Sequence, residues 1–452
     1  MQLNHDGRAV RRAAEESAGE ARKAEAAKRR RQLAAATLSL LGIGGGPASA
    51  EPLKWTIDSG LLYYKEGSGR VQAIEPVVNG SVALPGDRLL SAGVVIDTLS
   101  GATPNGATPW SQPQTFTSPS GKGKGYTIAP GATPLDPTFK DTRVAGNLGY
   151  RLPVSDAGKL QLGVNGSREY DFLSAGANAL YAHDFNERNT TLSAGLGFEY
   201  DHINPVGGAP DPLTRRASVP VGGDGEGEES SGPSKSKNVK DLLFGITQII
   251  DANSLVQFNY SLSLSNGYET DPYKFLSVVD SSAQPLYYVY EKRPGSRLRH
   301  AFFAEYRRSL FGRDSVDLSY RYFSDDWGVR SHTANLAYRW NLSDHAYLEP
   351  SARYYRQVQA DFYRTALYSG DEATVGNASA DPRLGAFSAI TGGLKFGYRI
   401  GDSQELSLRL QAYKQYAKTT DLPAQAADAL SAFELSPNLS AVMLTVGYRF
   451  NW

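Results

Sequence analysis

The stretch from Val442 to Trp452 places the strongest constraint on how this chain can fold, because its side chains alternate between two kinds. In an extended strand, one face carries the apolar set Val442, Leu444, Val446, Tyr448, Phe450 and Trp452. The other face carries Met443, Thr445, Gly447, Arg449 and Asn451. Aromatic residues at one end of such an apolar face are typical of a strand that crosses a bilayer and ends in its interface. A strand of a soluble sandwich is the alternative.

The same alternation recurs along the rest of the chain and predicts sixteen strands. Most are near ten residues long, which suits a strand tilted across a bilayer. The predicted ranges are 53–63, 69–79, 88–98, 142–152, 159–171, 176–186, 190–201, 239–250, 254–265, 298–310, 315–324, 331–342, 346–363, 386–400, 404–416 and 440–452.

The connections between these strands fall into two sets. Counted from the first strand, the long connections are odd-numbered, near 99–141, 203–238, 266–297, 364–385 and 417–439. The tight turns at 251–253, 311–314, 343–345 and 401–403 are even-numbered. A soluble sandwich does not predict this sorting. A lipid-facing sheet must close on itself, because lipid offers no partner to an unpaired edge. We therefore predict a single closed antiparallel transmembrane β-barrel with short periplasmic turns and long extracellular loops.

Composition excludes several function classes. The chain has 26 Tyr and 46 Gly but no Cys, which excludes disulfides, thiolate metal sites and cysteine nucleophiles. No run of 18 apolar residues occurs, so no spanning helix is expected. Beyond residue 50 the chain holds 38 basic and 42 acidic residues, and this mildly acidic balance argues against a nucleic-acid partner.

The first fifty residues resemble an export signal. Arg29, Arg30 and Arg31 precede the apolar run 33–43, and Pro47–Ala50 ends it with small residues. A basic region, a short apolar segment and an A-x-A end predict a signal peptide cleaved after Ala50. The predicted domains are thus a signal peptide with a long basic region, 1–50, and an outer-membrane barrel, 51–452.

Charged residues fall on the predicted inner face of the barrel. A basic side chain facing lipid at the bilayer midplane costs about 2–4 kcal/mol, so the alternation assigns them to the lumen. They form either a selectivity lining or a ladder of cross-strand ion pairs that stiffens the wall. The candidates are Arg299, Glu305, Arg307, Asp317, Arg321, Arg339, Glu349, Arg353, Lys395, Arg399, Arg409 and Arg449.

No catalytic, cofactor or metal site is predicted. His183, His202, His300 and His345 are isolated, and His332 cannot pair with its neighbour Ser331, since adjacent strand residues point to opposite faces. The acidic loop residues Asp224, Glu226, Glu228 and Glu229 could bind a divalent cation that bridges lipopolysaccharide phosphates. Their spacing is not that of a calcium loop, so a solvated disordered loop is the favoured interpretation.

Seven short stretches of the chain belong together as a set: 100–107, 187–192, 271–274, 291–294, 325–328, 353–355 and 360–363. They resemble a family of Gram-negative outer-membrane barrels catalogued as a domain of unknown function. The resemblance implies the barrel and its location but no activity. It also implies that the protein accompanies a small lipoprotein and a flavin-transferring enzyme, and that barrel assembly machinery recognises the last strand.

The function predicted from the sequence is a pore or conduit for small polar solutes or ions. The alternative is a structural barrel that docks a periplasmic or lipoprotein partner, possibly in a redox or cofactor pathway. An enzyme is not expected. The expected surroundings are outer-membrane lipid and lipopolysaccharide.

Overall fold

In a computed structural model, the described residues 54–116, 125–216 and 233–452 form a closed barrel of sixteen antiparallel strands. The predicted segment 1–50 lies outside these ranges. No helix within them is long and apolar enough to cross a bilayer. The barrel strands are β1 Lys54–Glu66, β2 Gln72–Leu84, β3 Arg88–Pro104, β6 Leu135–Pro153, β7 Gly158–Arg168, β8 Phe172–Phe185, β9 Thr190–Ile203, β10 Lys235–Asp251, β11 Ser254–Gly267, β14 Ser296–Leu310, β15 Asp314–Asp325, β16 Arg330–Asn341, β17 Ala346–Gln357, β19 Ala386–Ile400, β20 Gln404–Lys418 and β21 Leu439–Asn451.

Alternating burial shows which face of each strand meets the surroundings of the barrel. In β20, Leu406, Leu408 and Leu410 are about half exposed, whereas the intervening Ser407 and Arg409 are less accessible. A soluble protein would cover a continuous belt of exposed Leu, Phe and Val of this kind. The belt therefore marks the lipid-facing surface, and the opposite face of every strand lines the lumen.

The first and last strands close the sheet. β1 pairs with β21 over eleven residue pairs, from Thr56 opposite Asn451 to Glu66 opposite Ala441. Trp55 and Trp452 then exchange two backbone hydrogen bonds of 2.8 Å each. The predicted closure of the sheet on itself is confirmed.

The two ends of the barrel differ in the way the sequence predicts. At one end all seven connections are turns of two to four residues, and at the other end five of the eight connections contain 20 to 31 residues. We refer to these as the turn end and the loop end. The sorting follows from antiparallel topology, because successive connections alternate between the two ends.

The long loops carry secondary structure that the sequence did not predict. Two short strands, β4 Gln114–Phe116 and β5 Tyr126–Ile128, form a hairpin in the loop after β3. A three-stranded sheet joins β12 Phe275–Val279 and β13 Pro285–Tyr290 of one loop to β18 Leu367–Tyr368 of another. A single-turn helix, α1, spans Ala427–Leu430.

One predicted strand was too long. The range 346–363 ends at Gln357 in the structure, and Ala360, Phe362 and Tyr363 instead pack against Trp327. The alternation of apolar residues continues from the strand into this segment, but these side chains are buried against other loops instead of facing lipid.

Candidate functional site

The predicted charged residues lie on the lumen side of seven neighbouring strands. Arg299, Glu305 and Arg307 are on β14, Asp317 and Arg321 on β15, Arg339 on β16, Glu349 and Arg353 on β17, Lys395 and Arg399 on β19, Arg409 on β20, and Arg449 on β21. On each strand they alternate with outward-facing side chains, most of which are apolar. Their role in selectivity stays a prediction.

Ion pairs bring half of these residues together in two groups. Arg307 bonds Glu305 and Asp317, both at 2.7 Å. Glu349 accepts from Arg339 at 2.7 Å and from Arg409 at 3.2 Å, joining β16, β17 and β20. The ladder of cross-strand ion pairs is therefore present, and it is compatible with a role in permeation.

Other members of the set depend on residues that the sequence analysis did not single out. Arg449 bonds Asp58 at 2.6 Å across the β1–β21 seam. Lys395 and Arg399 lie 4.0 and 3.9 Å from Glu405. Arg353 donates to the Asn335 side chain at 2.6 Å. Among the described residues, Arg299 and Arg321 have no ion pair. The alternation of β20 places Glu405 on the same face as Arg409, so that signal could have found it.

Tyr347 organises the cations near the turn end. Its ring is fully buried, with the guanidinium of Arg339 4.1 Å and the ammonium of Lys395 5.5 Å from the ring centre. The ring packs against Gly397, where an added Cβ would lie 2.1 Å from its nearest atom. The Tyr347 hydroxyl donates to Glu405 at 2.7 Å. A cation over an aromatic face is stabilised by the ring quadrupole, so this cluster fixes positive charge on the lumen wall.

The lumen is solvated below the loop end. The charged side chains of Arg449, Arg399 and Arg409 keep 55%, 41% and 37% of their surface exposed. Turns of two to four residues are too short to reach across a sixteen-stranded opening. The described residues of the turn end therefore leave that side of the lumen accessible.

At the loop end, by contrast, the long loops fold together into what we call the cap, defined as residues 105–116, 125–134, 268–295, 358–385 and 419–438. Its apolar core includes Leu276, Val278, Val289 and Leu367, all at most 2% exposed. A second cluster joins Phe116 and Tyr126 to Phe275. Burial of this extent shows that the loops pack as a core rather than as separate solvated segments.

The cap spans the opening. The loop after β3 meets the loop after β11, and these strands are six places apart in a ring of sixteen. The Phe275 amide donates to the carbonyl of Asn105 at 3.2 Å, and the Thr108 amide donates to the Ser277 hydroxyl at 3.0 Å. Gly106 permits this approach, because a Cβ there would lie 2.1 Å from the Phe275 carbonyl oxygen.

A buried ionic network holds the cap together. Arg293 bonds Glu291 at 2.6 Å and Asp381 at 2.7 Å, which joins the loop after β11 to the loop after β17. Arg383 bonds Asp381 at 2.5 Å and Asp271 at 2.6 Å. The carboxyl groups of Glu291 and Asp381 are at most 1% exposed. The network was not predicted from the sequence, although the ranges 271–274 and 291–294 are two of the stretches that carry the family resemblance.

Electrostatics set the ionisation of Asp381. Burial raises the pKa of its carboxyl group, but the charges of Arg383 and Arg293 outweigh burial and hold that pKa well below its usual range. The carboxylate is therefore charged at neutral pH, and its partners must remain in place to compensate its burial.

The histidines do not form a catalytic arrangement in the described ranges. His183, His300 and His332 point to the lipid side, and Nδ1 of each lies 2.6–2.9 Å from a tyrosine hydroxyl, those of Tyr181, Tyr260 and Tyr320. Within the same ranges, no three His, Asp or Glu residues are placed to hold a metal ion. Asp224, Glu226, Glu228 and Glu229 lie outside the described residues.

A sequence profile for a family described as "Protein of unknown function (DUF3570)" matches residues 30–450. The chain belongs to this family. The resemblance inferred from the short phrases is thereby confirmed, and the barrel is the fold of this DUF3570 member. A comparison with curated proteins gives no match.

Solved structures similar to this DUF3570 chain are outer-membrane proteins. The ferric enterobactin receptor PfeA of Pseudomonas aeruginosa, as a Q482A mutant with enterobactin, shares 10% identity at TM-score 0.42, covering 84% of this chain and 57% of the receptor. A bacterial polysaccharide outer membrane secretin shares 9% identity at TM-score 0.42, covering 89% and 100%. The toluene transporter TodX of P. putida shares 9% identity at TM-score 0.37, covering 92% of both chains. These likenesses concern the fold alone.

Proposed function

We propose that this protein is an outer-membrane conduit for small polar solutes that prefers anions, and that the cap controls its outer end. The observation that carries the proposal is the charge of one lumen wall. The inward positions of β16, β17, β19, β20 and β21 hold six cations and two acids: Arg339, Arg353, Lys395, Arg399, Arg409 and Arg449 against Glu349 and Glu405. Ion pairing leaves a surplus of positive charge, which lowers the energy of an anion in the lumen.

The position of the cap makes the conduit a gated one. Because its loops meet across the opening, a solute that enters from outside requires at least one of their contacts to separate. The turn end needs no such change. In this proposal the cap has two arrangements, and opening breaks the buried contacts between the loops after β11 and β17.

Planar bilayer recordings test the proposal. Because the cap must open, we expect the purified barrel to conduct in discrete openings, with a reversal potential in a KCl gradient that indicates anion preference. Arg399→Gln with Arg409→Gln should shift that potential toward cation preference, because the surplus on the wall falls by two charges. The matched control is Arg313→Gln, which removes a cation from the turn between β14 and β15 that pairs with Asp344 outside the lumen. Equal shifts in both variants would contradict the role of the wall.

The cap itself favours a second candidate, a structural barrel that docks a periplasmic or lipoprotein partner. Leu276 and Val278 of its core are fully buried, so the loop end carries a packed, folded surface of the kind that a docking scaffold requires. The two functions differ in bilayers, since a scaffold shows no steady conductance even after the cap is loosened. Purification from the native membrane with identification of stoichiometric partners by mass spectrometry would then decide for the scaffold.

A further inference from the structure

The lipid-facing surface near the loop end carries a group of basic side chains, which we call the basic patch: Arg330, His332, Arg356 and Lys414. All four are exposed. His332 on β16 is the direct cross-strand partner of Arg356 on β17. Arg356 pairs across the sheet with Ser388 on β19, and Ser388 pairs in turn with Tyr416 on β20. Lys414 is two positions from Tyr416 on the same strand, so it lies on the same face. Arg330, Arg356 and Lys414, on three of these four adjacent strands, therefore present positive charge near one depth of the membrane.

The basic patch has no acidic counterpart. The outward positions of β16, β17, β19 and β20 contain neither Asp nor Glu. Among the described residues, the side chains of Arg330 and Arg356 have no hydrogen-bond or ion-pair partner, and the ammonium of Lys414 lies over the Tyr416 ring at 5.7 Å. On the lumen side, by contrast, arginines of the same strands bond carboxylates. Charges held beside lipid with no internal partner require anions from outside the protein.

An apolar groove of about 910 Å³ begins beside the basic patch and runs across the lipid-facing surface of β8 to β15. Its walls include Phe244, Phe258 and Phe302, and the small Ala304 lies between Phe258 and Tyr320 in the cross-strand row. Tyr320 connects the two features, because it lines the groove while its hydroxyl lies 2.6 Å from Nδ1 of His332.

We propose that the basic patch and the groove together bind one lipopolysaccharide molecule of the outer leaflet. Its phosphates bond Arg330, Arg356 and Lys414, and one of its acyl chains occupies the groove. Guanidinium groups bind phosphate oxygens in pairs, which suits them to this ligand. Arg356 and Lys414 are two strands apart, about 10 Å, so separate phosphates of one head group can reach both. This site depends on the membrane placement of the barrel and not on what the lumen conducts.

The test is a titration of the purified barrel in detergent with diphosphoryl lipid A, followed by native mass spectrometry. The double variant Arg330→Gln/Arg356→Gln should bind at least about tenfold more weakly, since it loses two charge-assisted contacts. The matched control is Arg308→Gln, an exposed, lipid-facing arginine of β14 near the turn end, which should bind as the wild type does. Heat-modifiable migration verifies that each variant is folded.

Two further variants separate charge from packing. Arg330→Lys/Arg356→Lys keeps the charges but loses the paired guanidinium contacts, so it should bind more weakly than the wild type and more tightly than the double Gln variant. Ala304→Trp fills the groove and should weaken binding of fully acylated lipid A while leaving a de-acylated, diphosphorylated form unaffected. Wild-type affinity in the double Gln variant, or equal binding of phosphatidylglycerol by the wild-type barrel, would overturn the proposal. Loss of conductance with lipid binding intact would instead concern only the proposed function.

Discussion

Replacing Asp381 with Asn should loosen the cap without altering the barrel. The side chain is nearly isosteric, but it loses the charge that Arg293 and Arg383 bond at 2.7 and 2.5 Å. Breaking a buried ion pair costs about 3–5 kcal/mol, because the remaining charge stays buried without compensation. In this variant Arg293 still has Glu291 as a partner, and the side chain of Arg383 is largely exposed. We therefore expect a cost at the lower end of this range, about 3 kcal/mol.

A loss of about 3 kcal/mol raises the equilibrium constant for cap opening by about 150-fold. Hydrogen exchange measures this directly in the strands of the cap sheet, where Leu276 pairs with Val289. Exchange of these amides should accelerate in Asp381→Asn, whereas amides of the barrel strands should not change. The control is Asp344→Asn, which breaks an exposed ion pair at the turn end, where such pairs contribute about 1 kcal/mol or less.

The pH dependence follows from the sign of the Asp381 shift. A carboxyl group whose pKa is lower in the folded state contributes stability above its unfolded value, 3.8, and that contribution is lost as the pH falls. The difference between the wild type and Asp381→Asn in the free energy of cap opening should therefore be largest near pH 6 and decrease below about pH 4. Similar amide exchange in the two proteins at pH 6 would refute the assignment of Asp381 as the charge that holds the cap.

Three other changes concern the wall of the barrel. Deleting Tyr448–Trp452 should prevent closure, because it removes four of the eleven residue pairs to β1, and heat-modifiable migration should disappear. Trp452→Ala, which removes one lipid-side aromatic, should slow insertion into vesicles and leave conductance per barrel unchanged. Gly397→Ala should destabilise the barrel by about 1–3 kcal/mol in urea unfolding, because its methyl group meets the ring of Tyr347. Gly392→Ala on the same strand is the control, since nothing lies within 4 Å of an added Cβ, and an equal loss there would contradict the packing argument.

The strands were predictable because a bilayer imposes a local rule. Leu406, Leu408 and Leu410 alternate with polar residues over a few positions, so the pattern is readable without knowledge of any partner. The strand count, the pairing of β21 with β1 and the sorting of connections all followed from that rule.

The cap was not predictable, because its contacts join segments far apart in sequence. Asn105 meets Phe275, and Arg293 meets Asp381. Nothing local in either member of each pair indicates the other. The overlong prediction for 346–363 has the same origin, since alternation alone cannot distinguish burial of Phe362 against Trp327 from exposure to lipid.

Because β1 pairs with β21, the barrel can close only after the whole chain from β1 to β21 has been synthesised. Arg449 and Asp58, bonded across the seam, are separated by 391 positions. The entropic cost of joining such distant segments grows only with the logarithm of their separation, about 0.6 kcal/mol per doubling. The separation has a larger effect on when the barrel can close, because one edge of β1 stays unpaired until the other fifteen strands exist. A chain that stops short of β21 cannot complete its ring, so the seam itself distinguishes finished barrels from fragments.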